Sequence, residues 1–487
     1  MTTVQQDSQV IVVGAGISGL ATAYALARVG CRVLVLEQSP RVGGFIRSER
    51  TPEGYLIEHG PNSLLNLNPD VDHLCGELGL DRERVIQQSS SRRRYLVKAR
   101  TLVPVPSRAC QFPLTPLWSL KAKLRALAEP FVFAAPPEGD ESVASFVRRR
   151  FGPEMVDYAV EPFVAGIFAG DPEQLSMASS FPQVAALERA SGSVVGGLIA
   201  SRLRRGRSRR PVQVFSFRGG VGRLPETLYS HLGDRVITEA RVVEVRREGR
   251  DGAVRFAVHA ETRDGARAFI ADRLVVASPA DVAGRLLFPL SPPLADELEQ
   301  IPYAPVGLVH LGVARSALSR FPDGAGCLVP KRERLPILGS LWSSNVYPER
   351  APEGRVLLTN YVGGVRDSDV LKWSDDELVA LVVDALRDLV GLSGRPEFVR
   401  VLRHPRAIPQ YLLGHRARVA KIDHWLAPLS GVYLAGNYLH GVSVRDCLTQ
   451  GAALADRIVG DIKRVENPGS ASLSTPPSPV SAMQYSS

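Results

Sequence analysis

Three glycines spaced as Gly14-Ala15-Gly16-Ile17-Ser18-Gly19 directly follow the apolar run Val10-Ile11-Val12-Val13. A loop of this kind suits a pyrophosphate. Gly14 permits a tight turn, Gly16 lets a phosphate approach the main chain, and Gly19 lets a helix pack closely on the strand. The first amides of that helix, and the positive end of its dipole, would face the phosphates. Glu37 closes the next apolar run 18 residues after Gly19, where a carboxylate can accept hydrogen bonds from ribose hydroxyls. Next comes Arg41-Val42-Gly43-Gly44-Phe45-Ile46, whose paired glycines keep side chains clear of a ligand and whose arginine can face a phosphate. An acidic residue after the second strand disfavours a dinucleotide carrying a 2′-phosphate.

Other chemistries find less support. The five cysteines, Cys31, Cys75, Cys110, Cys327 and Cys447, are widely spaced without a CxxC pair, and the nine histidines form no HxH or HExxH group. Neither a disulfide framework nor a metal site is expected, so redox chemistry would need an organic cofactor. The formal charge of +9 on 487 residues is moderate; it does not call for nucleic acid and would suit anionic lipid or an acidic small molecule. Two basic clusters stand out, Arg92-Arg93-Arg94-Tyr95 and the SRLRRGRSRR run at 201–210. The run reads as a solvated loop, with contact to lipid phosphates as the sharper alternative.

The elements that would carry these residues begin with one βαβ unit: a strand at Val10–Val13, a helix over Leu20–Val29 and a strand over Arg32–Leu36. Residues 107–200 have mainly helical spacing, as in Trp118–Ala128 and Ser142–Phe151. Strand patterns return at Arg235–Val245, Val254–His259 and Arg273–Ala277, and a second set at Val306–Val313, Ile337–Leu341 and Val356–Val362 suggests a separate sheet. The length allows two or three domains. Met1–Gln9 is short and polar, so no targeting signal is expected there. Prolines and charges interrupt Leu102–Phe133, the longest candidate for a membrane span, so that segment could lie on a bilayer but not cross it.

Several segments resemble the protoporphyrinogen oxidase family of FAD-dependent, amine-oxidase-like flavoproteins. The RxGG element at Arg41–Gly44 is similar to the second glycine motif of that superfamily. More specific are Glu58-His59-Gly60-Pro61-Asn62-Ser63, Gly166-Ile167-Phe168-Ala169-Gly170-Asp171 with Leu175-Ser176, and Phe217-Arg218-Gly219-Gly220-Val221. Ile301-Pro302-Tyr303-Ala304-Pro305-Val306 and Gly436-Asn437-Tyr438 with Gly441-Val442-Ser443-Val444-Arg445-Asp446-Cys447 complete the set, in family order.

The resemblance implies an α/β fold: a Rossmann-like FAD-binding domain, a mixed-sheet substrate domain and an inserted helical membrane-binding domain. It places the FAD domain at 1–90, 212–288 and 425–465, the substrate domain at 91–105 and 289–424, and the helical domain at 106–204. A basic loop at 205–211 and a disordered Ser/Pro-rich tail at 466–487 complete the expected organisation. FAD contacts are implied at Gly14, Ala15, Gly16, Ile17, Ser18, Gly19, Glu37, Gln38, Arg41, Gly43, Gly44 and Phe45. They are also implied at Gly60, Pro61, Asn62, Ser63, Val242, Asn437, Val442, Ser443 and Val444; without the resemblance, Val242 reads as sheet core. Arg94 would take a substrate propionate, and Ala325, Leu328, Tyr361 and Gly170 would help form the substrate pocket. Relatives often carry a larger residue than Ala325 and an aliphatic residue or Met at Tyr361.

The implied reaction is a six-electron oxidation of a porphyrinogen, passing hydride to flavin N5 and electrons on to dioxygen with release of hydrogen peroxide. No side chain stands out as a general acid or base, so catalysis is expected to be flavin-driven. The expected partners are the tetrapyrrole, dioxygen and a membrane surface, with a homodimer possible, no nucleic acid, and a cytoplasmic, peripheral location. Other readings are a coproporphyrinogen oxidase of the same fold, an amine oxidase or carotenoid desaturase, and a non-catalytic flavin- or porphyrin-binding module.

Overall fold

The computed structural model describes residues 3–66, 69–132, 137–205, 212–250 and 253–466. Strand Thr3–Val13 lies inside a seven-stranded sheet, parallel to Val33–Leu36 on one side and to Gly265–Val276 on the other. Val10 and Val12 enter one core while Ile11 and Val13 enter the other. Burial on both faces explains why the run is continuously apolar instead of alternating. Helices Ile17–Arg28, Arg223–Leu232 and Val444–Glu466 cover the first face, and Ala280–Leu287, Pro292–Glu299 and His415–Leu426 cover the second. Val236–Ile237 extends the sheet beyond Val33–Leu36, and Val432–Leu434 pairs with the end of Gly265–Val276.

The expected strand Arg235–Val245 is in fact two. Val236–Ile237 runs parallel to Val35–Leu36, whereas Arg241–Arg250 runs antiparallel to Ala253–Thr262. The turn between them is held by main-chain bonds from Glu239 to Ser39 and from Ala240 to Glu37, with Glu239 at φ +54°. Two expected boundaries also shift, because helix Val194–Arg205 takes the first residue of the basic loop and helix Val444–Glu466 takes the first of the tail. Residues 206–211 and 467–487, the remainder of those two segments, lie outside the described residues.

A second seven-stranded sheet has the order Phe398–Pro409, Tyr303–Ala314, Arg355–Gly363, Gly339–Trp342, Gly326–Leu328, Tyr95–Lys98, Thr101–Pro104. Helix Asp375–Val390 packs on one face through Leu378, Val382, Leu386 and Leu389. Its ends are fixed by a Ser374–Glu377 capping box and by Gly391 in the left-handed region at φ +66°. The opposite face meets Ala165 of helix Glu161–Phe168 and the adjoining Ala169.

Helix Glu161–Phe168 belongs to a group of short helices, among them Leu120–Leu127, Val143–Phe151, Pro182–Ser191 and Val194–Arg205. They are knotted together by Glu129, which is fully buried. Its carboxylate accepts from Arg150 Nε at 2.8 Å, from Ser193 Oγ at 2.6 Å and from the Val194 and Val195 amides at 3.0 Å. A buried carboxylate at the start of a helix is thus paired and hydrogen-bonded throughout, as burial requires. Among the described residues no helix is long and apolar enough to cross a membrane.

Candidate functional site: a dinucleotide crevice under an apolar wall

Val13 lies opposite both Leu36 and Val276, and Val276 lies opposite Leu434, so four parallel strands end level with one another. Ligands of open parallel sheets bind in the crevice outside such carboxyl ends. Gly14 leaves its strand at φ +106°, and its amide donates to the Leu36 carbonyl at 2.8 Å. A Cβ on Gly19 would sit 2.1 Å from the Gly14 carbonyl oxygen, so the turn and the helix need glycine there for packing alone. Gly16 differs. Its φ of −68° and ψ of 172° suit any residue, and a Cβ there would meet no protein atom within 4 Å. The fold leaves this side open, which is the condition a phosphate needs. Helix Ile17–Arg28 has no side-chain cap, so the Ile17, Ser18 and Gly19 amides stay available at its N-terminus.

The second glycine loop is bound to the first. Gly43 donates its amide to the Ala15 carbonyl at 2.8 Å, and a Cβ on Gly44 would have only the Gly16 Cα near it, at 3.6 Å. Glu37, nine-tenths buried, accepts from the Ala15 amide at 2.7 Å and the Ser39 amide at 2.9 Å. Each carboxylate oxygen keeps a further lone pair for a ribose hydroxyl. Gln38 and Arg41 are exposed beside it, and Val242 is half-buried against the core of the second face. Phe45, also exposed, meets the His404 ring edge-on at 5.1 Å.

Gly60 is sterically required, since a Cβ there would lie 2.4 Å from the Phe45 carbonyl oxygen. Pro61, Asn62 and Ser63 follow, and two tyrosines of the second-sheet region reach them. Asn62 Nδ2 donates to the Tyr361 hydroxyl at 2.6 Å, and the Tyr347 hydroxyl donates to Ser63 Oγ at 2.9 Å. Burial, and then the charge of Glu58, push the Tyr361 phenol well above its ordinary pKa, so it stays neutral. Just behind this segment Glu58 and Arg350 form a buried ion pair at 2.6 Å. Glu58 also accepts from Ser48 Oγ at 2.5 Å and from the Val221 amide at 2.9 Å, while Arg350 donates to Ser216 Oγ at 2.7 Å. Burial raises the Glu58 carboxyl above its usual value against the opposing pull of Arg350.

Strand Val432–Leu434 leads to Asn437 at the same end of the sheet. Tyr411, buried and stacked on His415 at 4.2 Å, donates its hydroxyl to the Asn437 carbonyl and accepts from the Gly441 amide at 2.7 Å. Val442 is half-buried, Ser443 exposed and Val444 buried. Ser443 and Asp446 cap helix Val444–Glu466 mutually, at 2.6 Å between side chains and 3.1 Å from the Asp446 amide to Ser443 Oγ. Gly451 brings that helix against Ile17–Arg28, because a Cβ there would come within 2.8 Å of the Ala21 side chain.

The expected substrate positions divide. Leu328 and Tyr361 both border the helical group on one face of the second sheet, and Gly166 leaves room for Leu328, whose side chain would lie 2.8 Å from a Cβ. Arg94 is exposed and makes no ion pair among the described residues. Strand alternation places it on the same face as Leu96, which shares a cluster with Leu328. Ala325 packs instead with Val346 and Tyr347, and Gly170 faces Gln410, whose Oε1 would be 2.5 Å from a Cβ. Arg350, Tyr347 and Tyr411 carry no local signal in the sequence; their partners are remote along the chain.

Two interlocked glycine loops at the carboxyl ends of a parallel sheet, bordered by an apolar second sheet, form a dinucleotide-binding crevice beside a substrate face, and the family match makes the protein a flavin-dependent oxidoreductase. The model for flavin containing amine oxidoreductases matches residues 17–459, and the chain belongs to that family. Its cofactor is FAD. The chloroplastic protoporphyrinogen oxidase of Oryza sativa subsp. japonica is 37% identical over 464 residues, covering 90% of this chain and 85% of its own. The coproporphyrinogen III oxidase of Bacillus subtilis (strain 168) is 29% identical over 470 residues, covering 92% of this chain and 97% of its own. A crystal structure from Exiguobacterium sp. 255-15, provisionally assigned as a protoporphyrinogen oxidase, superposes with a TM-score of 0.78 at 25% identity, covering 94% of this chain and 99% of that one.

Proposed function

We propose that this enzyme oxidises protoporphyrinogen IX to protoporphyrin IX with dioxygen as acceptor, releasing three molecules of hydrogen peroxide for the six electrons and six protons removed. The observation that carries this reading is the unpaired Arg94 at the margin of the apolar wall formed by Leu328 and Tyr361, which is itself bonded to Asn62 in the Gly60–Ser63 segment. A large apolar macrocycle with few carboxylates needs such a wall and one such guanidinium. The name of the Oryza relative supports it. FAD, when bound, supplies a two-electron acceptor. The chain's share is placement. Gly16, Gly44 and the helix amides hold the pyrophosphate, Glu37 the ribose, and Arg94 a propionate. Tyr361 fixes the wall against Asn62, and the bordering helices exclude water from the substrate face.

Coproporphyrinogen III is the second reading, favoured by the exposure of Arg92 and Arg93 beside Arg94 and by the name of the Bacillus relative. More guanidiniums would suit a substrate with more carboxylates. Porphyrin fluorescence growth, followed in parallel with the two porphyrinogens and a peroxide assay, separates the readings. Fast growth from protoporphyrinogen supports the first, a strong preference for coproporphyrinogen supports the second, and no growth above the spontaneous rate with either rejects both.

The reading extends to a membrane surface at the helical group of 106–204. Leu120, Leu124 and Leu127 are 58–71% exposed on one face of helix Leu120–Leu127, Phe131 is 76% exposed, and Lys121 is exposed on the same helix. Apolar residues with cations beside them suit a bilayer interface. Flotation with anionic vesicles tests this: the protein should float, and Leu124→Asp with Phe131→Asp should stay at the bottom.

A further inference from the structure

Segment Gln410–His415 touches two parts of the molecule that are otherwise remote in sequence. On one side it is stitched to the helical group. The Ser176 amide donates to the Tyr411 carbonyl at 2.8 Å, the Leu413 amide to the Gln174 carbonyl at 2.9 Å, and the Gly414 amide to Asp140 Oδ2 at 2.8 Å. Asp140 Oδ1 accepts in turn from Ser176 Oγ at 2.8 Å, and Gln410 donates to the Phe168 carbonyl at 2.8 Å. On the other side the Tyr411 hydroxyl closes the turn from Asn437 to Gly441, accepting from one end and donating to the other.

That turn leaves strand Val432–Leu434 level with the end of Thr3–Val13 and the glycine fingerprint, at the edge of the dinucleotide crevice. Its shape decides where the main chain leading into helix Val444–Glu466 stands relative to a bound flavin. Tyr411 is 1% exposed, and both hydrogen bonds of its hydroxyl go to the turn's main chain, while its ring lies parallel to His415 with 14° between planes. A buried hydroxyl that satisfies one carbonyl and one amide fixes both, and removing it leaves both without a partner.

We infer that Tyr411 is a positioning residue for the flavin, setting the Asn437–Gly441 turn and tying its shape to the seating of the helical group through Asp140. The inference goes beyond the substrate reading, and its test does not use a porphyrinogen. Tyr411→Phe keeps the ring on His415 and removes only the hydroxyl. Purified holoenzyme of this variant should lose FAD more readily, with a dissociation constant raised about fivefold. The visible absorption bands and the midpoint potential of its bound flavin should shift. Asp140→Ala, which changes no residue of the crevice, should move the flavin bands in the same direction by less, and this variant stands in if Tyr411→Phe fails to fold. Flavin bands, potential and FAD affinity identical to wild type in Tyr411→Phe would overturn the positioning role, even with a lowered melting temperature. A shift in Tyr411→Phe with none in Asp140→Ala would overturn the tie to the helical group.

Discussion

At the scale of single residues, Gly16 and Gly19 look equivalent in the sequence and are opposites in the structure. A side chain at 19 collides with the Gly14 carbonyl oxygen, whereas one at 16 enters the space left for a phosphate. Gly19→Val is therefore expected to destabilise the protein by several kcal/mol through overpacking against main chain. Gly16→Val should leave the unfolding free energy of the apoprotein within about 0.5 kcal/mol of wild type while lowering FAD affinity by about two orders of magnitude. Melting curves and absorbance at the flavin bands, taken on the same preparations, distinguish the two effects. Arg94→Ala should raise the KM for a porphyrinogen about tenfold, the value of one charge-assisted bond, with FAD retained. An unchanged KM would remove Arg94 from the substrate site.

At the scale of elements, the two sheets are joined by side chains from short connecting segments. Glu58 ends a strand of the β-hairpin before Gly60, and Arg350 lies in the turn after helix Ser343–Val346. Arg350→Leu should cost about 3–5 kcal/mol, because it strands a carboxylate in the interior. Adding Glu58→Leu should recover much of that loss, and a double-mutant cycle in urea measures the difference. This pair also marks the limit of what could be read in advance. The glycine fingerprint, Glu37 and the apolar strands announce themselves because their signals lie within one βαβ unit. Glu58 could be noticed only as part of a motif, and nothing near Arg350 says that its partner lies about three hundred positions earlier. The break at Glu239 was hidden for the same reason: it is enforced by main-chain bonds to residues 37–39, not by a Gly or Pro of its own.

At the scale of the whole molecule, buried histidines predict how stability responds to acid. His310 is fully buried, with Nδ1 at 3.0 Å from Thr359 Oγ1, and burial lowers its pKa to about 3. Burial likewise lowers His415, beneath Tyr411, to about 4. Unfolding releases both to about 6.5, so the unfolded chain binds the extra protons. Their contribution is complete above pH 6.5 and is lost as pH falls toward 4 and 3, at about 1.4 kcal/mol per unit and per histidine. Unfolding free energies from urea titrations at pH 7.5 and 5.5 should differ by about 1–3 kcal/mol, the midpoint falling at the lower pH, and His310→Gln should flatten the profile. A wild-type midpoint that does not move would show these rings protonated without unfolding.

Strand Thr3–Val13 sits between a neighbour synthesised at once and others synthesised much later, Gly265–Val276 and, beyond that, Val432–Leu434. At about 5–20 residues per second, a ribosome takes on the order of tens of seconds to deliver the last of them. Until then the buried end of Gly265–Val276, at Leu274–Val276, has one open edge, which is a template for wrong pairing. Nascent chains halted before residue 430 are expected to be digested by protease from their N-terminus inward and to be held by chaperones. A protected N-terminal fragment at that length would show that the first sheet can close without its final strand.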